Sequence, residues 1–79
     1  MSPAQSRAAR ALLNWSQEEL AEKASVSVTT LRNYERGATA PMTNNLNAIR
    51  AALEAAGVVF IPENGGGAGV RLRAPSGRP

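Results

Sequence analysis

Two residues, Ser25 and Val26, separate two stretches that each read as a short helix, and this gap constrains the fold more than any other feature of the chain. Upstream, Ser16 and Glu19 form an S-x-x-E pattern just before Leu20, Ala21 and Ala24. In that pattern hydroxyl and carboxylate satisfy backbone groups at a helix start, and the three apolar positions mark its buried stripe. Downstream, Ser27 is placed to cap a further helix from Val28, which Gly37 stops. Helices joined by so tight a turn pack at a steep angle, with the second held clear of the body by the first.

The flanking segments supply the rest of a small core. Ser2 followed by Pro3 is a helix start. Ala8, Leu12 and Trp15, widened by Ala9 and Leu13, are expected to face inward, with Arg7 and Arg10 at the stripe's edge and Asn14 as a left-handed end. Trp15 suits the core better than base stacking, which uses arrays of aromatics. After a loop containing Pro41, Thr43 is expected to cap a fourth helix with Leu46, Ile49, Leu53 and Ala56 on one side and Gly57 at its end.

Beyond Gly57 the pattern changes to β. Val58 to Ile61 and Val70 to Arg73 flank an Asn64-Gly65 hairpin signal. The alternation suggests Val59 and Ile61 beside Val70 and Leu72, and Val58 and Phe60 on the face of Arg71 and Arg73. One face would cover the helices, leaving the other, or an edge, for a second copy; Val58, Phe60, Val70 and Leu72 are the candidate dimerisation residues. The expected architecture is mainly α: a compact four-helix domain over 1–57, a C-terminal β-hairpin over 58–73, and a frayed tail over 74–79.

Composition narrows the function. The 79 residues contain no Cys, His or Asp, which removes imidazole and thiolate metal ligands and every triad that needs histidine. "GGGAG" at 65–69 has no following Lys-Ser/Thr, so it is a turn and not a phosphate loop. Glu18, Glu19 and Glu22 suit the start of a helix dipole better than acid catalysis, and Lys23 with Ser25 and Ser27 lacks a base and a pocket. No enzyme, cofactor or small-molecule ligand is indicated. The longest strongly apolar run, Val58 to Ile61, is far below the roughly 20 residues of a membrane span, so a cytoplasmic, nucleoid-associated protein is expected. Nine basic residues, eight of them Arg, against six Glu give a net charge of +3; this suits phosphate or mere solubility equally well.

Position separates those options. On the helix from Val28 only Leu31 and Tyr34 are strong core residues, with Thr30 beside them, so Val28, Thr29, Arg32, Asn33 and Arg36 share the opposite arc. That arc is either the wet side of a surface helix or a major-groove reader. Arg donates twice to guanine, Asn pairs bidentately with adenine, and Thr and Val methyls touch the thymine methyl. Val28, Thr29, Arg32 and Asn33 are the candidate base contacts; Ser27, Arg36 and Thr39 are candidate phosphate contacts.

The stretch "SQEELAEKASVSVTTLRNYERGATAP" resembles the helix-turn-helix family of phage repressors and xenobiotic-response-element regulators, and the resemblance runs from about Arg10 to Leu53. It implies that Gln17, opening the second helix, contacts phosphate, that Ala21 permits close helix packing, and that Glu35, Arg36 and Gly37 are the family's Glu-x-Gly ending. It also implies a pair between Arg10 and Glu35, expected as an exposed pair worth about 0 to 1 kcal/mol; the alternative is two independent surface charges. Two departures stand out. Ser25 replaces the usual turn glycine, at a cost of about 1 kcal/mol if its φ is positive, and the family's fifth helix is missing. The resulting expectation is a sequence-specific regulator that binds double-stranded DNA through residues 28–36, as a homodimer on a partly palindromic site. An antitoxin-type module whose tail binds a partner protein, and a protein-only adaptor, are the alternatives.

Overall fold

Reciprocal side-chain caps open the first two helices of the computed structural model, which describes residues 1–73. Ser2 Oγ accepts from Gln5 N–H at 3.1 Å while Ser2 N–H donates to Gln5 Oε1 at 2.9 Å, starting α1 (Pro3–Leu13). The Ser16–Glu19 box does the same for α2 (Gln17–Ala24). Ser27 caps α3 (Val28–Glu35) by accepting from Thr30 N–H at 3.0 Å. Thr43 does not cap α4 (Thr43–Ala55): it is already the first helical residue, and Met42 occupies the cap position without a side-chain bond. The tail expected over 74–79 lies outside the described residues.

The ends follow backbone sterics. Asn14 and Ser25 both adopt the left-handed conformation, with φ of 58° and 57°, and their N–H groups close the last turns of α1 and α2. The turn between α2 and α3 therefore has the geometry that glycine would take without strain, held here by a serine. Gly37, with φ of 77°, ends the α3 region.

Leu20, Ala21, Ala24, Leu31, Ile49, Leu53 and Val58 form the core with Ala9. α2 packs between α3 and α4, and α1 bridges α3 and the hairpin. Trp15 is half-buried against this core, with the Lys23 ammonium 5.2 Å from its ring centre.

α1 is rotated from the expected orientation. Its buried residues are Gln5, Ser6 and Ala9, whereas Ala8 is exposed and Leu12 is 44% exposed. A polar line faces inward because each member has a partner there: Gln5 Nε2 donates to the carbonyls of Ile61 and Gly69 at 3.2 and 2.9 Å, and Ser6 donates to Glu35 at 2.6 Å. Burial with such bonds avoids the desolvation cost that an unpaired amide or hydroxyl would carry.

The hairpin pairs β1 (Val58–Ile61) with β2 (Gly69–Leu72) in a register that sets Val58 opposite Leu72 and Phe60 opposite Val70. This corrects the expected facing by one residue, which exchanges the two faces. The chain reverses through residues 62–68, with positive φ at Gly65 and Gly67, and not through a two-residue turn at Asn64-Gly65. Val58 is fully buried, and Phe60 and Val70 pack on the core. The Val58, Phe60, Val70 and Leu72 face therefore covers the chain's own helices; of the four, only Leu72 is substantially exposed, at 38%.

Candidate nucleic-acid interface

The position of α3 is set by one buried carboxylate. Glu35, 1% exposed, accepts from Ser6 Oγ at 2.6 Å, from Arg10 Nε at 3.0 and 3.1 Å, from Arg10 Nη2 at 2.8 Å and from Gln17 Nε2 at 3.1 Å. Arg7 Nη1 donates to the Glu35 backbone carbonyl, and Arg10 Nη1 to that of Trp15 at 3.2 Å. The C-terminal end of α3 is thereby joined to α1 and to the first residue of α2. Burial alone pushes the Glu35 carboxyl up, but the bonds from Arg10, Ser6 and Gln17, with the Arg10 charge, outweigh it and hold the group below the ordinary glutamate value. The expectation of an exposed Arg10–Glu35 pair is corrected accordingly: the carboxylate is sealed from water, so losing its partner costs far more than a surface pair does.

Tyr34 reinforces the same end. It is buried, donates through its hydroxyl to the Met1 carbonyl at 3.1 Å, and has its pKa raised by burial and by the neighbouring Glu35 charge.

With that end fixed, the opposite arc of α3 is open to solvent. Thr29, Arg32 and Arg36 are exposed and Asn33 is half-buried. Val28 departs from the expected set: it is half-buried and packs on the core, so part of its apolar surface is already covered. Ser27 and Thr39 are exposed, and the Ser27 hydroxyl donates to Thr30 Oγ1 at 2.8 Å. Gln17, implied as a phosphate contact, has one amide bond committed to Glu35.

Two further contacts on this face lie outside the hydrophobic pattern. Arg32 Nη2 lies 3.7 Å from Glu18 Oε2, with both side chains well exposed, and Arg36 donates through Nε and Nη2 to Asn33 Oδ1. The spacing of Asn33 and Arg36 is in the sequence, since residues three apart on a helix are neighbours. Glu18 and Arg32 lie on different helices and meet only through the fold.

The face is thus a short helix projecting Thr29, Arg32, Asn33 and Arg36, backed by a rigid polar joint. Among the described residues, no cluster of acidic side chains is arranged to hold a metal ion, and no helix is long and apolar enough to cross a membrane. A family profile described as helix-turn-helix matches residues 7–56, from within α1 to just past the end of α4. No curated protein matches the chain.

Proposed function

The chain belongs to the helix-turn-helix family of xenobiotic-response-element and phage-repressor type, whose members are DNA-binding transcription regulators, and from that premise we propose that it reads a specific duplex sequence with α3 in the major groove. Thr29, Arg32 and Asn33 address base edges, with Val28 contributing what remains uncovered of its methyls. Gln17, Ser27, Arg36 and Thr39 hold phosphates and set the register without reading sequence. The observation that carries this reading is the solvent-facing arc of exposed Thr29, Arg32 and Arg36 with half-buried Asn33, on a helix whose C-terminal end is locked by Glu35.

Two copies bind a partly palindromic site, because a single recognition helix reads few base pairs and two-fold pairing matches half-site symmetry. Of the hairpin, Ile61, Leu72 and the strand edges remain available for that pairing. A regulator is favoured over an antitoxin-type module whose tail orders only on a partner, since Val58 is part of the core and Gln5 bonds to both strands. Such a protein works on chromosomal DNA in the cytoplasm.

Titration of the full chain on a bound site and its single-base variants tests the reading. Arg32→Ala is expected to relax preference at one position, at a cost of about 1 to 3 kcal/mol, while Thr39→Ala weakens all sequences alike. Equal losses on every sequence for Arg32→Ala reject base reading by that residue. Sedimentation of Leu72→Glu tests the tail: a dimer that persists excludes Leu72 from the interface.

A further inference from the structure

Asn33 and Arg36 lie one turn apart on α3, and Arg36 donates to Asn33 Oδ1 through both Nε, at 3.2 Å, and Nη2, at 3.0 Å. A guanidinium has donors only, so the amide atom that faces it is the oxygen, and the amide's orientation is settled by chemistry. What Asn33 has left for a partner is Nδ2: donors, and no free acceptor directed by the fork. Bidentate recognition of adenine needs both halves of the amide, with Oδ1 accepting from N6–H while Nδ2 donates to N7.

We propose that Asn33 presents a donor-only edge to DNA and that the base it reads is guanine, not the adenine that the residue type alone suggests. Guanine offers two acceptors, N7 and O6, to the Nδ2 donors, whereas adenine sets its own N6 donor against them. Freeing Oδ1 for adenine breaks two charge-assisted bonds, while guanine is met with the fork intact. Arg36 is a positioning residue in this arrangement. It acts on the base through Asn33, and its Nη1 amine stays free for a phosphate. Arg32 adds donors of its own, since its 3.7 Å contact with Glu18 is exposed and weak. The inference rests on α3 reading a duplex.

Selection from a randomised duplex library with the full chain tests it, using the unaltered protein, Asn33→Ala and Arg36→Ala. The column that loses its preference in Asn33→Ala is the one Asn33 reads. In the unaltered protein that column is expected to favour guanine over adenine by roughly ten-fold, and in Arg36→Ala, with Oδ1 released, to move toward adenine. Replacing the selected guanine by 7-deazaguanine, which lacks the N7 acceptor, weakens binding of the unaltered protein and leaves Asn33→Ala unchanged. Adenine in the column of the unaltered protein, a column unmoved by Arg36→Ala, or no column altered by Asn33→Ala overturns the inference while DNA reading stands. A library with no enriched sequence overturns both.

Discussion

Replacing Arg10 by methionine tests whether Glu35 is the joint that orients α3. The substitution keeps an unbranched stem of similar reach and removes the guanidinium. Glu35 then retains Ser6 and Gln17 as donors but loses the bonds from Nε and Nη2. Removing one partner of a buried pair costs about 3 to 5 kcal/mol. The Arg10 side chain is 18% exposed while that of Glu35 is 1% exposed, so the attraction lost is partly screened, but the carboxylate left behind is not rehydrated. A loss of about 3 kcal/mol at neutral pH follows. For 79 residues, total stability is of order 4 to 12 kcal/mol, so the variant folds but is visibly weakened.

The pH dependence separates this account from a generic packing defect. In the unaltered chain the Glu35 pKa is lowered, so its contribution is complete above the ordinary glutamate value and disappears as pH falls through the folded-state value. In Arg10→Met the two Arg10 contributions that offset burial are gone, so the pKa rises relative to that of the unaltered chain. The variant's penalty is then full above that raised pKa and fades as protonation neutralises the carboxyl. Urea unfolding followed by circular dichroism, from about pH 7 to about pH 4, should show the two stabilities converging as pH falls. A gap that stays constant across this range, or one below about 1 kcal/mol at neutral pH, refutes the buried-joint argument.

Ser25→Gly should stabilise the domain. A left-handed non-glycine residue costs about 1 to 2 kcal/mol, of which glycine's greater unfolded freedom cancels about half, leaving a gain up to about 1 kcal/mol and a Tm rise of several degrees; a lower Tm contradicts the strain argument at φ 57°. Gln5→Ala removes the donor to Ile61 and Gly69 and should cost about 1 to 3 kcal/mol. Hydrogen exchange should quicken at the paired hairpin amides more than in α3, and uniform acceleration would mean that Gln5 does not tie the ribbon specifically.

The features legible in the sequence are those in which a side chain acts within about one helical turn of itself. Ser16 with Glu19, Ser27, and the left-handed end at Asn14 are local backbone chemistry, and the fold uses them where the pattern puts them; the left-handed Ser25 was signalled only by the resemblance, which has glycine there. Leu20, Leu31, Ile49 and Leu53 were legible because aliphatic side chains have one favourable destination. The rotation of α1 was hidden for the converse reason. Hydrophobic periodicity ranks Leu12 above Ser6, yet Ser6 meets a carboxylate 29 positions away and Gln5 meets a carbonyl 64 positions away, and no local pattern contains those partners. The hairpin register failed similarly, because Val58 to Ile61 is apolar on both faces and alternation expresses no preference.

These buried polar contacts also explain how so small a core holds one geometry. Leu20 and Leu31 tolerate modest rotation of α2 and α3 against each other, since dispersion contacts are non-directional. Glu35 tolerates little: its oxygens must meet donors from α1 and α2 together, and a turn of α3 about its axis leaves a sealed carboxylate short of partners. The arrangement that satisfies Glu35 is the same one that turns Thr29, Arg32, Asn33 and Arg36 away from the core. The residue most responsible for the outward face of α3 therefore lies inside the protein and is itself inaccessible to a duplex.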